Sequence, residues 1–267
     1  MALIPEAIVE VRIGPPGALG LRIAKLYIDF DVKRVAGSTP NKASISIYNL
    51  SENHIRQIER PRQVVQLLAG DGIAGQLFFG DIAKRGVLTK QNGPDRVTTI
   101  KGADGRLIFR EGVFSRSYSP GATRDQIITD ISAAIGVTRG FTDQLEPVTF
   151  PTGWTFSGKA RDALTELLEP DGVGWSIQDG ALELVKFGNA KPGGAILISA
   201  ATGMRGFPEQ TDKGVTVRTK LDPRGKPNSV IVLDTKRLKG NYRAKAVNHK
   251  GNSRRTTWET EYKGVPR

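Results

Sequence analysis

Two hydrophobic periods divide this chain of 267 residues. Over most of it apolar and polar positions alternate, as in strands with one buried and one wet face. Ile8, Val9, Val11 and Ile13 predict a first strand, ended by Gly14-Pro15-Pro16-Gly17. Leu26, Ile28, Phe30 and Val32 then alternate with Tyr27, Asp29, Asp31 and Lys33. After a turn at Gly37-Ser38-Thr39-Pro40-Asn41, Ile45 and Ile47 alternate with Ser44, Ser46 and Tyr48. Ser51 is placed to cap a short helix whose Ile55 and Ile58 share a face. Val64 to Leu68, Gln76 to Ile82 and Val97 to Lys101 read as further short strands before Ala103-Asp104-Gly105. Such a series fits a closed barrel or a sandwich.

From Leu107 the period lengthens. Thr123 and Gln126 are spaced as a capping box for a helix over Arg124 to Ile135, with Ile127, Ile128, Ile131, Ala134 and Ile135 on its apolar face and Gly136 at its end. A second helix places Ala160, Ala163, Leu164, Leu167 and Leu168 at i, i+3, i+4, i+7 and i+8, with Ser157 as its expected cap and Pro170 and Gly172 as its stop. Period two then returns: Trp175 and Ile177, a Gln178-Asp179-Gly180 turn needing positive φ, and Leu182 and Leu184. The remainder is β again, through Ile196 to Ile198, Val215 to Val217, Val230 to Val232, Tyr242 to Val247 and Thr257 to Tyr262.

The pattern therefore predicts a mainly β protein with an α+β insertion: two strand-rich parts, residues 1–106 and 195–267, which the family resemblance given below makes two β-barrel domains, and a small helix-hairpin unit, residues 107–194, between them. The 31 Gly and 15 Pro suit many short strands joined by turns. The absence of Cys excludes disulfides and thiolate chemistry and fits assembly in a reducing cytoplasm. No basic segment followed by an apolar run opens the chain, so no signal peptide is expected, and no apolar run approaches the roughly 20 residues of a membrane span.

Charge changes the picture more. The formal net charge is +12, which raises the question of polyanionic partners. Lys236, Arg237, Lys239, Lys250, Arg254 and Arg255, with Lys245, fall in or beside turns of the C-terminal part and are the candidate contacts to a partner or to phosphate. Only Tyr242, Trp258 and Tyr262 lie nearby, which makes no stacking platform, so an acidic protein neighbour is the favoured contact and duplex DNA the alternative.

Candidate chemistry is thin. Gly153-Trp154-Thr155-Phe156-Ser157-Gly158-Lys159 satisfies GxxxxGK, but Ala160 stands where a P-loop needs a magnesium-binding hydroxyl, and Pro151 interrupts the strand that should precede it. His54 and His249 are the two histidines, and neither has a nucleophile or acid at a recognised spacing. Asp29 and Asp31 share a strand face, where a solvated pair is the plainer reading than acid–base catalysis. No catalytic, metal or cofactor site is expected.

The order of these segments resembles the central hub protein of long-tailed phage baseplates, a family that includes the matching part of type VI secretion spikes. The residues carrying the resemblance are Pro40-Asn41 before Ile45 to Ser51, Gly80-Asp81-Ile82, Asp104-Gly105, Phe156-Ser157-Gly158 before Arg161-Asp162-Ala163-Leu164, Leu167-Leu168, Trp175-Ser176-Ile177, Thr202-Gly203, Pro208-Glu209, Val215 to Leu221, Tyr242, and Val247-Asn248-His249. The resemblance implies a non-enzymatic homotrimer that presents two barrels per subunit, so that three copies look six-fold to a tail tube protein and three-fold to a spike or tail-tip protein. It also implies other baseplate proteins as partners, DNA only in transit through the channel, no cofactor, no membrane insertion, and residence in the virion tail after assembly in the host cytoplasm. The sequence departs from larger relatives in showing no lysozyme or needle domain, so such roles are expected to sit elsewhere. A basic nucleic-acid-binding β-barrel protein is the alternative.

Overall fold

A computed structural model describes residues 7–18, 20–105, 112–254 and 257–267. The N-terminal part holds β1 (Ala7–Gly14), β2 (Leu21–Ile23), β3 (Ile28–Val35), β4 (Lys42–Tyr48), α1 (Glu52–Ile58), β5 (Val64–Asp71), β6 (Gly75–Asn92) and β7 (Asp95–Ala103). The middle holds β8 (Val113–Tyr118), β9 (Ala122–Thr123), α2 (Arg124–Ala134), β10 (Thr138–Thr142), β11 (Thr149–Phe150), β12 (Trp154–Lys159), α3 (Ala160–Leu168), β13 (Val173–Gln178) and β14 (Ala181–Lys186). The C-terminal part holds β15 (Ile196–Ile198), β16 (Met204–Thr211), β17 (Gly214–Lys220), β18 (Val230–Asp234), β19 (Lys239–Asn252) and β20 (Trp258–Pro266).

The expected alternation is realised in β3 from Ile28 onward, while Leu26 and Tyr27 precede the strand and are half-buried. Ile28, Phe30 and Val32 of β3 are buried, while Asp29 and Lys33 face water. The pairing is less expected. β3 takes β4 along one edge and β19 along the other, from Val35 opposite Ala246 to Asp29 opposite Asn252. This joins the two strand-rich parts into one sheet, ordered β16-β17-β20-β19-β3-β4-β7-β6-β5-β1-β2, with β18 also on β19 and β15 on β18. Among the described residues no ladder closes on itself, so two closed barrels are not what these strands form. The reason lies in β3: a strand has two hydrogen-bonding edges, and the one that could have closed the N-terminal strands is given to β19.

The one sheet nevertheless carries two apolar cores. The first contains Val11, Phe30, Ile45, Leu67 and Phe78, and it admits Leu221 and Trp258 from the C-terminal part. The second contains Ile198, Val217, Ile231, Val247 and Tyr262. The middle residues make a third core, in which α2 and α3 pack with the three-stranded sheet β10-β14-β13.

In that middle unit the expected apolar face of α3, Ala160, Ala163, Leu164, Leu167 and Leu168, is buried throughout. Thr123 caps α2 by accepting from the Gln126 amide at 3.3 Å, and Gly136 follows the helix at φ 71°. Asp179 and Gly180, at φ 56° and 84°, form the two-residue turn between β13 and β14, as a hairpin of primed type requires. The expected cap of α3 is different. Ser157 lies inside β12, its hydroxyl 3.1 Å from that of Ser115 on β8, and Lys159 stands at the cap with no side-chain bond. Pairing with β8 has drawn the chain into a strand one residue before the helix, beyond reach of a serine cap.

Candidate functional site: a three-way polar junction and the basic residues

The three parts of the chain meet at the tip of the β13–β14 hairpin. Arg34 continues the inward series Ile28, Phe30, Val32 and is fully buried. Its Nη1 donates to the Leu77 carbonyl at 3.1 Å, and its Nη2 donates to Asp179 Oδ2 at 2.9 Å and Gln178 Oε1 at 3.1 Å. From the C-terminal part, Lys226 Nζ reaches the same Asp179 oxygen at 2.9 Å. Asp104, just past β7, accepts the Asp179 amide at 2.6 Å and the Gly180 amide at 3.2 Å. Asn41 donates to Gln178 Oε1 at 2.9 Å and to the Ile177 carbonyl at 3.2 Å, and accepts from the Val35 amide at 2.9 Å. Gln178 returns a bond to the Val35 carbonyl at 2.9 Å.

Two carboxylates thus meet a buried cation, Arg34, and a partly exposed one, Lys226, and their protons are apportioned by position. Burial raises Asp104, the Asp179 charge raises it further, and the two amide bonds and Arg34 oppose; the result is about 7. Burial alone would raise Asp179 too, but Arg34 and Lys226 outweigh it and hold its carboxyl below the usual range. The junction therefore keeps one permanently ionised carboxylate, Asp179, and Asp104 takes up a proton near neutrality. Such a constellation joins parts. It offers no nucleophile and, among the described residues, no group of three or more metal-ligating side chains occurs anywhere.

His249, on β19, is fully buried. Its Nε2–H donates to the Gly225 carbonyl at 3.1 Å, which leaves Nδ1 to accept from the Thr260 hydroxyl at 2.9 Å. Burial, with Arg34 nearby, pushes its pKa down to about 3, so the ring is a neutral linker. His54 lies on α1, where its amide donates to the capping Ser51 hydroxyl at 3.3 Å.

The GxxxxGK segment is no phosphate loop. Residues Trp154 to Lys159 are paired along β8, so their amides belong to an extended ladder instead of wrapping an anion. Gly153, at φ 81°, passes against the Tyr118 carbonyl.

The six basic candidates fall into two groups. Lys236, Arg237 and Lys239 occupy the tip between β18 and β19, where Lys239 pairs with Asp234 at 2.9 Å and Arg237 lies over the Phe207 ring at 4.9 Å. Lys250 and Arg254 sit at the other end of β19: Lys250 is 3.7 Å from Asp31, and Arg254 lies over the Tyr27 ring at 4.8 Å. Lys239 and Lys250 are eleven residues apart on one strand, or roughly 35 Å at about 3.3 Å per residue. The two groups are therefore separate surfaces. Arg255 lies outside the described residues.

Among the described residues no helix is long and apolar enough to cross a membrane. No family model and no curated protein matches the sequence. Solved structures do match. A tail protein from Neisseria meningitidis MC58 superposes with a TM-score of 0.67 at 12% identity, over 97% of this chain and 96% of that one. The chain has the fold of phage tail proteins. A 43 kDa tail protein of prophage MuSo2 from Shewanella oneidensis shares this tail-protein fold at a TM-score of 0.65 and 9% identity, over 98% of both chains. An E. coli component of the type VI secretion system, described as similar in structure to T4 bacteriophage tail proteins gp27 and gp5, matches at 0.64 and 10% identity, over 96% of this chain and 77% of that one. At these identities the tail-protein fold is carried by pattern and pairing, with few residues in common.

Proposed function

We propose that this chain is a structural, non-enzymatic hub of a phage tail baseplate. In this reading it is a ring-forming homotrimer that joins a six-fold tail tube to a three-fold spike or tip and surrounds the channel for tape measure and DNA. The observation that carries the reading is likeness to tail proteins over nearly the whole of both chains. Its units would be residues 1–106, 107–194 and 195–267, a division supported by three separate apolar cores. The two strand-rich units would serve as the paired β-modules that let three subunits imitate six, although β3 and β19 weld them into one sheet. The partners would be a tail tube protein, a spike or tail-tip protein and other baseplate proteins, met in the host cytoplasm and retained in the virion.

Mass measurement tests the assembly. Sedimentation equilibrium of the full chain, alone and with a tail tube protein, should give a species that contains three copies of the 28.9 kDa chain. A monomer or dimer under both conditions at tens of micromolar overturns the proposal.

A further inference from the structure

We infer that the outer face of the sheet across β3, β4 and β7 is a binding surface for a nucleic-acid phosphate backbone. Antiparallel register places side chains of directly opposed residues on the same face. Lys33 on β3 stands opposite Lys42 on β4, and one step along, Asp31 stands opposite Ser44, which stands opposite Lys101 on β7. Lys250 on β19 stands opposite Asp31. Lysines separated by as many as 217 residues of sequence thus share one patch, and a groove of about 550 Å³ runs between Lys33, Lys42 and Lys101.

The charges are unevenly matched. Asp31 is taken by Lys250 at 3.7 Å, Asp29 lies one row further along the face, and Asp81 stands opposite Ala103. Lys33, Lys42 and Lys101 are exposed and have no ion pair among the described residues. Lys33 and Lys42 repel each other across the strand pair, an arrangement that a bound anion relieves.

The side-chain type selects the partner. Protein interfaces are enriched in aromatic residues and arginine and depleted in lysine, whereas these three strands present lysines beside Ser44, Ala103 and the Lys250-paired Asp31 at the groove. Lysine is a mobile point charge that meets phosphate without demanding a fixed fork of acceptors. With no aromatic and no arginine at the groove, nothing there reads bases, so the contact is independent of sequence. This surface lies away from the hairpin tip that carries Lys236, Arg237 and Lys239. The inference does not rest on the hub reading, and either can fail alone.

The test is anisotropy of a fluorescein-labelled 20-base-pair duplex of mixed sequence, titrated with the full chain at several salt concentrations. Each neutralised phosphate contributes about −0.9 to the slope of log K against log salt. Three lysines then give a slope of about −2.7, or about 40-fold weaker binding at 200 mM than at 50 mM. The triple variant Lys33→Gln, Lys42→Gln, Lys101→Gln should make the slope shallower by about 2.7, while Lys236→Gln, Arg237→Gln, Lys239→Gln leaves it unchanged. If the first triple variant folds poorly, Lys33→Gln and Lys101→Gln singly should each remove about 0.9, and Lys33→Gln should melt no lower than the parent. The inference is overturned by no binding at 50 mM salt, by loss of the slope in the hairpin-tip variant instead, or by polyglutamate binding as tightly as the duplex with the same dependence on Lys33, Lys42 and Lys101. The last result would assign the face to an acidic protein.

Discussion

Replacing Asp179 by Asn changes one atom at the point where all three cores meet. Asn tolerates the left-handed backbone that this turn needs, so the 56° φ angle at this position is kept and the perturbation is electrostatic. Arg34, 1% exposed, loses its carboxylate partner. Removing one member of a buried pair costs about 3–5 kcal/mol, because the other charge stays in a dry site. The low end of that range applies, since Arg34 keeps its bonds to the Leu77 carbonyl and Gln178. Lys226, 38% exposed, adds little because water screens it. The expected loss is therefore about 3 kcal/mol, which at an m-value of about 3 kcal/mol/M lowers the urea midpoint by about 1 M. Tryptophan fluorescence reads it from two sides of the junction, since Trp175 and Trp258 sit in different cores. The comparison is Asp234→Asn, which breaks an exposed pair with Lys239 and should cost under about 1 kcal/mol. The loss should also be larger at pH 5 than at pH 8, where an ionised Asp104 stands in as the counter-charge. Equal midpoints for the two variants at pH 5 would falsify the claim that Arg34 depends on Asp179.

Two buried groups should give stability an opposing pH dependence. Asp104 is raised to about 7 in the folded state, so between about pH 4 and 7 the folded chain holds the extra proton and stability falls as pH rises. His249 is lowered to about 3, so its contribution is complete above about pH 6.5 and is lost as pH falls toward 3. Each has a slope of about 1.4 kcal/mol per pH unit, and the two oppose between about pH 4 and 6.5. Urea midpoints of Asp104→Asn should therefore rise with pH through this range, and those of His249→Asn should fall; the same trend in both variants refutes the assignment. At Gly153, alanine meets both an unfavourable φ of 81° and the Tyr118 carbonyl, so Gly153→Ala should cost about 2 kcal/mol or more. A melting temperature equal to the parent's would show that β8 and β12 adjust freely.

Much of this architecture follows from local chemistry and was legible in the chain. Alternation at Ile28, Phe30 and Val32, helical spacing from Ala160 to Leu168, and the Asp179-Gly180 turn each depend on neighbours within a few residues, so the sequence alone determined them. Arg34 left a partial signal, because it occupies the next inward place after Val32, yet nothing nearby reveals the carboxylate that receives it. Partnership across the fold was decided only in three dimensions. The pairing of β3 with β19 turns two expected barrels into one sheet and brings Lys250 to the face that carries Lys33, Lys42 and Lys101. The physical reason is that every strand has two open edges of the same backbone groups, so its sequence states which face is apolar but not which distant strand will take each edge.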